Sequence, residues 1–216
     1  QPVIDAGLHE LVPDDHAIAS AAGVRWSDDG TRVFVGVKPW VDRPVARGGE
    51  PVEIEKDESD TLRATLVDDP SNVEVWHTRD VDIIPRQKRL AGRDRSRTRL
   101  ATWSLEDDAF VVLANDVSES VRLLDGHRHA VALDNTPHDA LRMFGPTLND
   151  VAIVDVATGE RERILEAIKY DYGGSPDGRW FLYQRDGDVW TYDIVERAHR
   201  NITAGIDAQF INQEES

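Results

Sequence analysis

Residues 173–193 read GGSPDGRWFLYQRDGDVWTYD, and the fold turns on whether Ser175 in this stretch is a nucleophile or part of a turn. A nucleophile elbow requires Gly-x-Ser-x-Gly, with a glycine two residues to either side of the serine. Gly173 meets the first requirement, but Asp177 holds the second position and the glycine comes one residue late, at Gly178. Pro176-Asp177-Gly178 suits a β-turn instead, because proline pre-sets φ and glycine accepts a positive φ. Trp180 to Tyr183 follow, all of high β-propensity. Asp186-Gly187 then reads as a two-residue hairpin turn, with Val189 to Tyr192 as the return strand. Ser175 is read as a turn residue.

The unit recurs along the chain. RWSDDGTRVFVGV at 25–37 lines up with 173–185, placing Ser27 on Ser175, Asp29 on Asp177 and Gly30 on Gly178. TWSLEDDAFVVLA at 102–114 is a weaker copy, with Ser104 and Glu106 in the first two places. The second half repeats as well. DVAIVDVATGE at 150–160 matches DVWTYDIVERA at 188–198, and Asp150 to Asp188 sets a period of 38 residues.

A repeat of roughly 40 residues built of short strands is the sequence signature of a β-propeller blade. One four-stranded sheet cannot bury its own faces, so each blade needs a neighbour. The ruler places four blades over residues 1–216, an all-β partial propeller: 17–76, 99–133, 140–165 and 172–203. The first contains an insertion at 38–71, rich in Pro, Gly and acid. Such a segment is either a functional loop or a solvating one. Helical spacing is thin. In TGERERILEAIKYD, from 158, the apolar Ile164, Leu165 and Ile168 fit one helical turn, yet the repeat alignment favours a strand at 163–165; Asp57 to Leu66 is a second weak helix candidate. Four unequal blades with no closing strand make an open arc, which implies a piece of a larger ring and exposed edges open to self-association.

Composition narrows the function classes. The chain has 216 residues, 40% hydrophobic and 31% charged, with a formal net charge of −16. Nucleic acid as the main partner is disfavoured, because phosphate binding draws on Lys and Arg. The basic run RQKRLAGRDRSRTR at 86–99 lacks the interleaved aromatics that stack on bases. Its nearest complement is the acidic insertion. No apolar run approaches the ~20 residues of a membrane span, and Gln1 does not open a signal peptide. The absence of cysteine excludes disulfides and thiolate metal sites.

NVEVWHTRDVDIIPRQKRL, residues 72–90, resembles a motif in the N-terminal propeller of bacterial prolyl oligopeptidase-family proteins. The matched positions are Val73, Val75, Trp76, His77, Asp80, Pro85 and Gln87, while Thr78 stands where that family tends to carry a second tryptophan. The Ser-Pro-Asp-Gly unit and DVAIVDVATGERERIL resemble the same family's blades, although Tol-type and other WD-like propellers share that signature. The resemblance runs from about Gly23 to Phe210. It implies a propeller that precedes an α/β-hydrolase domain and restricts entry to peptides, and it favours export over the cytoplasm. The chain holds no Gly-x-Ser-x-Gly, so the implied role is gating without the catalyst. No Trp-x-Tyr-Glu-Glu segment is present, and dipeptidyl specificity is not carried over. The alternative is a free-standing WD-like or Tol-type scaffold that binds a protein or another ligand. A hydrolase acting through residues of this chain ranks last, since spacing recommends no Ser/His/Asp set.

His127-x-His129 would put two imidazoles on one strand face, but no third metal ligand is placed by spacing. His77 follows a tryptophan, where a structural hydrogen bond is expected. Asp28-Asp29-Gly30 and Asp177-Gly178 lack the alternate carboxylates and final Glu of a calcium loop. No cofactor or metal is expected. Trp26 and Trp103 share a repeat position, which argues for packing between blades. Trp40 lies outside the repeat and is the candidate partner-contacting aromatic.

Overall fold

Ser175 closes a turn. Its amide donates to the Trp180 carbonyl (2.8 Å) and the Gly178 amide donates back to the Ser175 carbonyl (2.9 Å). Its hydroxyl donates to Asp177 and accepts from the Trp180 amide. Ser27 makes the same turn: its amide donates to the Arg32 carbonyl (3.0 Å), and its hydroxyl donates to Asp29 (2.6 Å) and accepts from the Arg32 amide (2.9 Å). The Ser27 hydroxyl and the Thr31 amide hold the Asp29 carboxyl down at about 2. A third copy is built on Leu124, whose amide donates to the His129 carbonyl (2.9 Å) while the His127 amide donates to the Leu124 carbonyl (3.0 Å). Where the other two turns place Gly30 and Gly178 at positive φ, this one places His127, at φ 52°.

The structure is a computed structural model; it describes residues 16–19, 23–39, 96–116, 118–141 and 145–206, together with positions 12, 85, 86, 88 and 89. The strands, in chain order, are β1 (His16–Ile18), β2 (Arg25–Trp26), β3 (Arg32–Pro39), β4 (Arg99–Ser104), β5 (Phe110–Val112), β6 (Ser120–Leu123) and β7 (His129–Asp134). They continue with β8 (Asn149–Asp155), β9 (Arg161–Ile168), β10 (Asp171–Gly174), β11 (Trp180–Arg185), β12 (Asp188–Asp193) and β13 (Ala198–Asn201). A 3₁₀ turn spans Thr136–Leu141. Every pairing is antiparallel, and the described strands form three sheets: β3-β4-β5 with β1 and β2 sharing the far edge of β3, then β6-β7-β8-β9, then β10-β11-β12-β13. The fold is all-β, an incomplete β-propeller of four-stranded blades.

In the last blade Asp186 and Gly187 turn β11 into β12 at positive φ. The 38-residue period is visible in side-chain chemistry. Asp155 and Asp193 end equivalent strands, and each accepts from the two amides of the turn that follows, Ala157 and Thr158 in one case, Val195 and Glu196 in the other. The stretch 161–168 is a strand, as the alignment favoured over a helix.

Elsewhere the sheet boundaries depart from those set by spacing. β4 and β5, expected to open the blade 99–133, pair onto β3 and complete the first blade. β6 and β7, expected to close it, pair instead with β8 and β9 of the expected 140–165. The physical reason is that a Ser/Asp-capped turn ends either kind of hairpin. Ser104 closes the β4–β5 turn, its amide donating to the Ala109 carbonyl (2.8 Å), and not a first-to-second-strand turn, so its likeness to Ser27 and Ser175 is chemical, not positional. The insertion therefore returns to the blade at Arg99. The stretch at 72–76, the likeness at 72–90, and Asp57 to Leu66 lie outside the described residues.

The middle blade is buried on both faces, which is why HAVALD and NDVAIVD are nearly continuous apolar runs. One pleat face carries Ala130, Ala132, Val154 and Val156 against Phe34 and Leu113 of the first blade. The other carries Val131, Val151, Ile153 and Leu165 against Phe181, Tyr183 and Tyr192 of the third. Each large side chain buried here contributes roughly 1.5–3 kcal/mol. The small alanines leave room for the Phe34 ring.

The turns lock the blades in register. Asp28 donates its amide to His127 Nδ1 (3.1 Å), and Phe34 meets the same ring edge-on at 5.3 Å. One blade further on, Gly178 sits so close to Asp125 that a Cβ on it would fall under 3.0 Å from the Asp125 carbonyl oxygen. Arg122 pairs with Asp171 between adjacent innermost strands, and Arg161 reaches Glu119 at 2.7 Å.

Candidate binding face

In a meander, successive turns alternate between the two ends of the sheet. The Ser27, Leu124 and Ser175 turns therefore share one face of the arc with the turns after β4, β8 and β12. The opposite face receives the links between the second and third strands and the connectors from blade to blade. Those second-to-third links differ in length: Pro39 to Arg99 in the first blade, Asp134 to Asn149 in the second, and Asp186-Gly187 alone in the third. Where the link is shortest the face is hollow. A cavity of about 760 Å³ lies there between the end of β9 and the β11–β12 hairpin, lined in part by Arg163, Glu166, Lys169, Arg185 and Asp186.

One wall of this recess is held from behind by Asp150. Its carboxylate accepts from His138 Nε2 (2.7 Å) and from the Ala167 amide (3.0 Å), and Arg163 approaches at 3.5 Å. Burial pushes the Asp150 carboxyl up, but these partners more than offset it and leave it below the usual carboxylate range. His138 belongs to the 3₁₀ turn, so the bond also ties the long link of the second blade to the sheet. The register of β8 against β9 shifts between Asn149 and Val151 and again before Ala152. A bulge of this kind re-aims side chains.

Ser175 is committed to its turn. His127 serves the seam between the first two blades, while His129 lies on β7 opposite Asp155; the pair does not converge on a metal, and no group of three metal-binding side chains occurs among the described residues. Trp103 donates Nε1 to Asp108 (3.2 Å) and packs on the Val33, Val35 and Val37 cluster. Trp26 does not share that role: it is 62% exposed on the innermost strand, beside Val24. His77 and Trp40 lie outside the described residues. No helix of the described residues is long and apolar enough to cross a membrane. The recess residues had no signal in the sequence, because it depends on Ala167 adopting φ 53°, a conformation that alanine does not advertise.

A second cluster marks the outer rim of the seam between the second and third blades. The His199 ring lies tilted at 46° to Tyr192, 4.7 Å away, and meets Tyr183 edge-on, with the Tyr183 hydroxyl 2.8 Å from Nδ1. Burial, with Arg185 nearby, holds the His199 imidazole below its ordinary 6.5. A depressed histidine favours its neutral form when folded. Its contribution is therefore complete above pH 6.5 and is lost as pH falls from 6.5 toward the lower folded value. Urea midpoints should drop between pH 7.5 and 5.5, and His199→Gln should flatten that slope; an unchanged slope would remove His199 from the account.

No family model matches the chain, and no curated protein matches it. Solved structures do. TolB from Acinetobacter baumannii is similar over 50% of this chain at 16% identity and a TM-score of 0.30. The β-propeller domain of the Trilobed protease from Pyrococcus furiosus is similar over 49%, at 14% identity and a TM-score of 0.33. A prolyl endopeptidase is similar over 45%, at 16% identity and a TM-score of 0.31. The chain spans 27%, 34% and 17% of the lengths of these three.

Proposed function

We propose that this chain is the non-catalytic propeller portion of a prolyl oligopeptidase-type serine peptidase, controlling peptide access to a separate α/β-hydrolase domain. The propeller scaffold itself is plain from the stacked meanders. The observation that carries the finer reading is the use of the motif serines. Ser27 and Ser175 spend their hydroxyls on their own turns, so the blades act as a frame, and the likeness at 72–90 supports a peptidase of this type as its owner. On this reading further blades of the same protein cover the exposed Val24 and Trp26 at one end of the arc, and Val195 and Ile202 at the other. Trp40, which follows Pro39 in the sequence, is the aromatic offered to a partner, and the protein works outside the cytoplasm.

The test is the native gene product, captured by an antibody to this segment. A product of ~60 kDa or more, labelled by a fluorophosphonate serine-hydrolase probe, is expected. A product near 24.2 kDa that ignores the probe would overturn the peptidase reading and favour the free-standing scaffold.

A further inference from the structure

We propose that the recess between β9 and the β11–β12 hairpin binds a carboxylate ligand, gripped by Arg163 and Arg185 from its two walls. The size is right, since small-molecule sites run from about 300 to 1,000 Å³ and this one is about 760 Å³. Its charge is out of keeping with the rest of the chain. Arg163, Lys169 and Arg185 outnumber Glu166 and Asp186 here, in a protein of net charge −16.

Apart from the largely buried Asp150, 3.5 Å from Arg163, the present partners of these arginines are weak competitors. Arg163 bonds Glu166 at 2.8 Å, but the Glu166 side chain is 65% exposed. Arg185 approaches Asp186 at 3.6 Å, too long for a hydrogen bond, and the Asp186 side chain is 86% exposed. Exposed pairs of this kind contribute little. A guanidinium binds a carboxylate by two parallel N–H bonds, so an incoming carboxylate can replace either contact with a stronger one. Lys169 lies 4.8 Å over the Tyr170 ring and adds a third positive charge.

The backbone points to the same place. Ala167 and Asp186 both line the recess at a left-handed φ of 53°; Asp186 takes it as the first residue of a primed hairpin turn, whereas Ala167 takes it within β9. A strand residue in that conformation persists only when the surroundings impose it, and such residues gather at binding sites. Asp150 imposes it through the Ala167 amide. Leu165 and Ile168 supply an apolar base, which suits a carboxylate with a short aliphatic group attached. That ligand is either a free small acid or the C-terminus of a peptide. The proposal does not rest on the peptidase reading.

The experiment is an amide NMR titration of the full chain with N-acetyl-Ala-Leu, with the C-terminal amide of the same dipeptide, and with propionate. The Ala167 and Gly187 amides are expected to shift with the acid and to respond about tenfold more weakly to the amide. Arg163→Gln and Arg185→Gln should each weaken binding by a similar factor; Arg185→Lys, which keeps the charge and loses the fork, replaces the glutamine variant if that one folds poorly. Propionate binding as tightly as the dipeptide identifies a free acid; a clear advantage for the dipeptide identifies a peptide terminus. Equal response to acid and amide, no response to either, or a response that survives both substitutions overturns the site.

Discussion

A Gly178→Ala chain is expected to be about 3 kcal/mol less stable than the wild type, whereas Gly30→Ala should lose only about 1 kcal/mol. The two glycines occupy the same place in equivalent turns and have nearly the same backbone, φ 67° and 71°. Alanine is strained at both by a similar amount. What differs is the space ahead of them. A Cβ on Gly30 meets nothing within 4 Å, while one on Gly178 runs into the Asp125 backbone of the preceding blade. Backbone cannot swing aside as a side-chain tip can, so the blades must separate or the turn must open. Urea unfolding of the two variants, with m unchanged, checks the difference. Equal losses would show that the approach of the two turns does not matter to stability.

Phe181→Ala is expected to cost about 4 kcal/mol, within the range for deleting a fully buried phenylalanine. Phe181 has 0% exposure and lies in the seam where the second and third blades meet. Its ring stacks with Tyr183 at 6.3 Å and a tilt of 16°, so the loss removes both apolar area and a ring contact. Leu182, next along β11, points to the other pleat face and is only partly buried; Leu182→Ala should cost under half as much. Hydrogen exchange adds a local readout. In Phe181→Ala the amides of β11 and β12 should lose protection before those of β7 and β8, because the third blade has lost its seat. Uniform loss across both blades would mean the seam is not where the stability resides.

The third blade was legible in the sequence because each of its turns carries a residue suited to its backbone. Gly178 takes the left-handed position of one turn, Asp186-Gly187 forms the next, and Asp193 caps the last through the Val195 and Glu196 amides. The second blade hides its first turn. Leu124 stands where serine stands in the other two, and His127 takes the glycine's left-handed position, so the unit leaves no pattern for an alignment to find. Ser104 misleads in the other direction, since capping chemistry does not reveal which pair of strands a turn joins. The recess was illegible for a related reason. It is made by a register shift between β8 and β9 and by Ala167, and neither leaves a mark on residue type.

The register of β3 against β4 has a consequence for how this propeller can be modified. Val37 faces Arg99 across a single ladder, so the polypeptide leaves the first blade and re-enters it at neighbouring positions. Closing the 59 residues between Pro39 and Arg99 in place of a loop of four adds only about 2 kcal/mol of chain entropy. A detour of that length is thus cheap, whatever its content. The blade offers a socket with two adjacent leads, and any folded unit whose own termini lie side by side can be plugged into it without disturbing the ladder on either side.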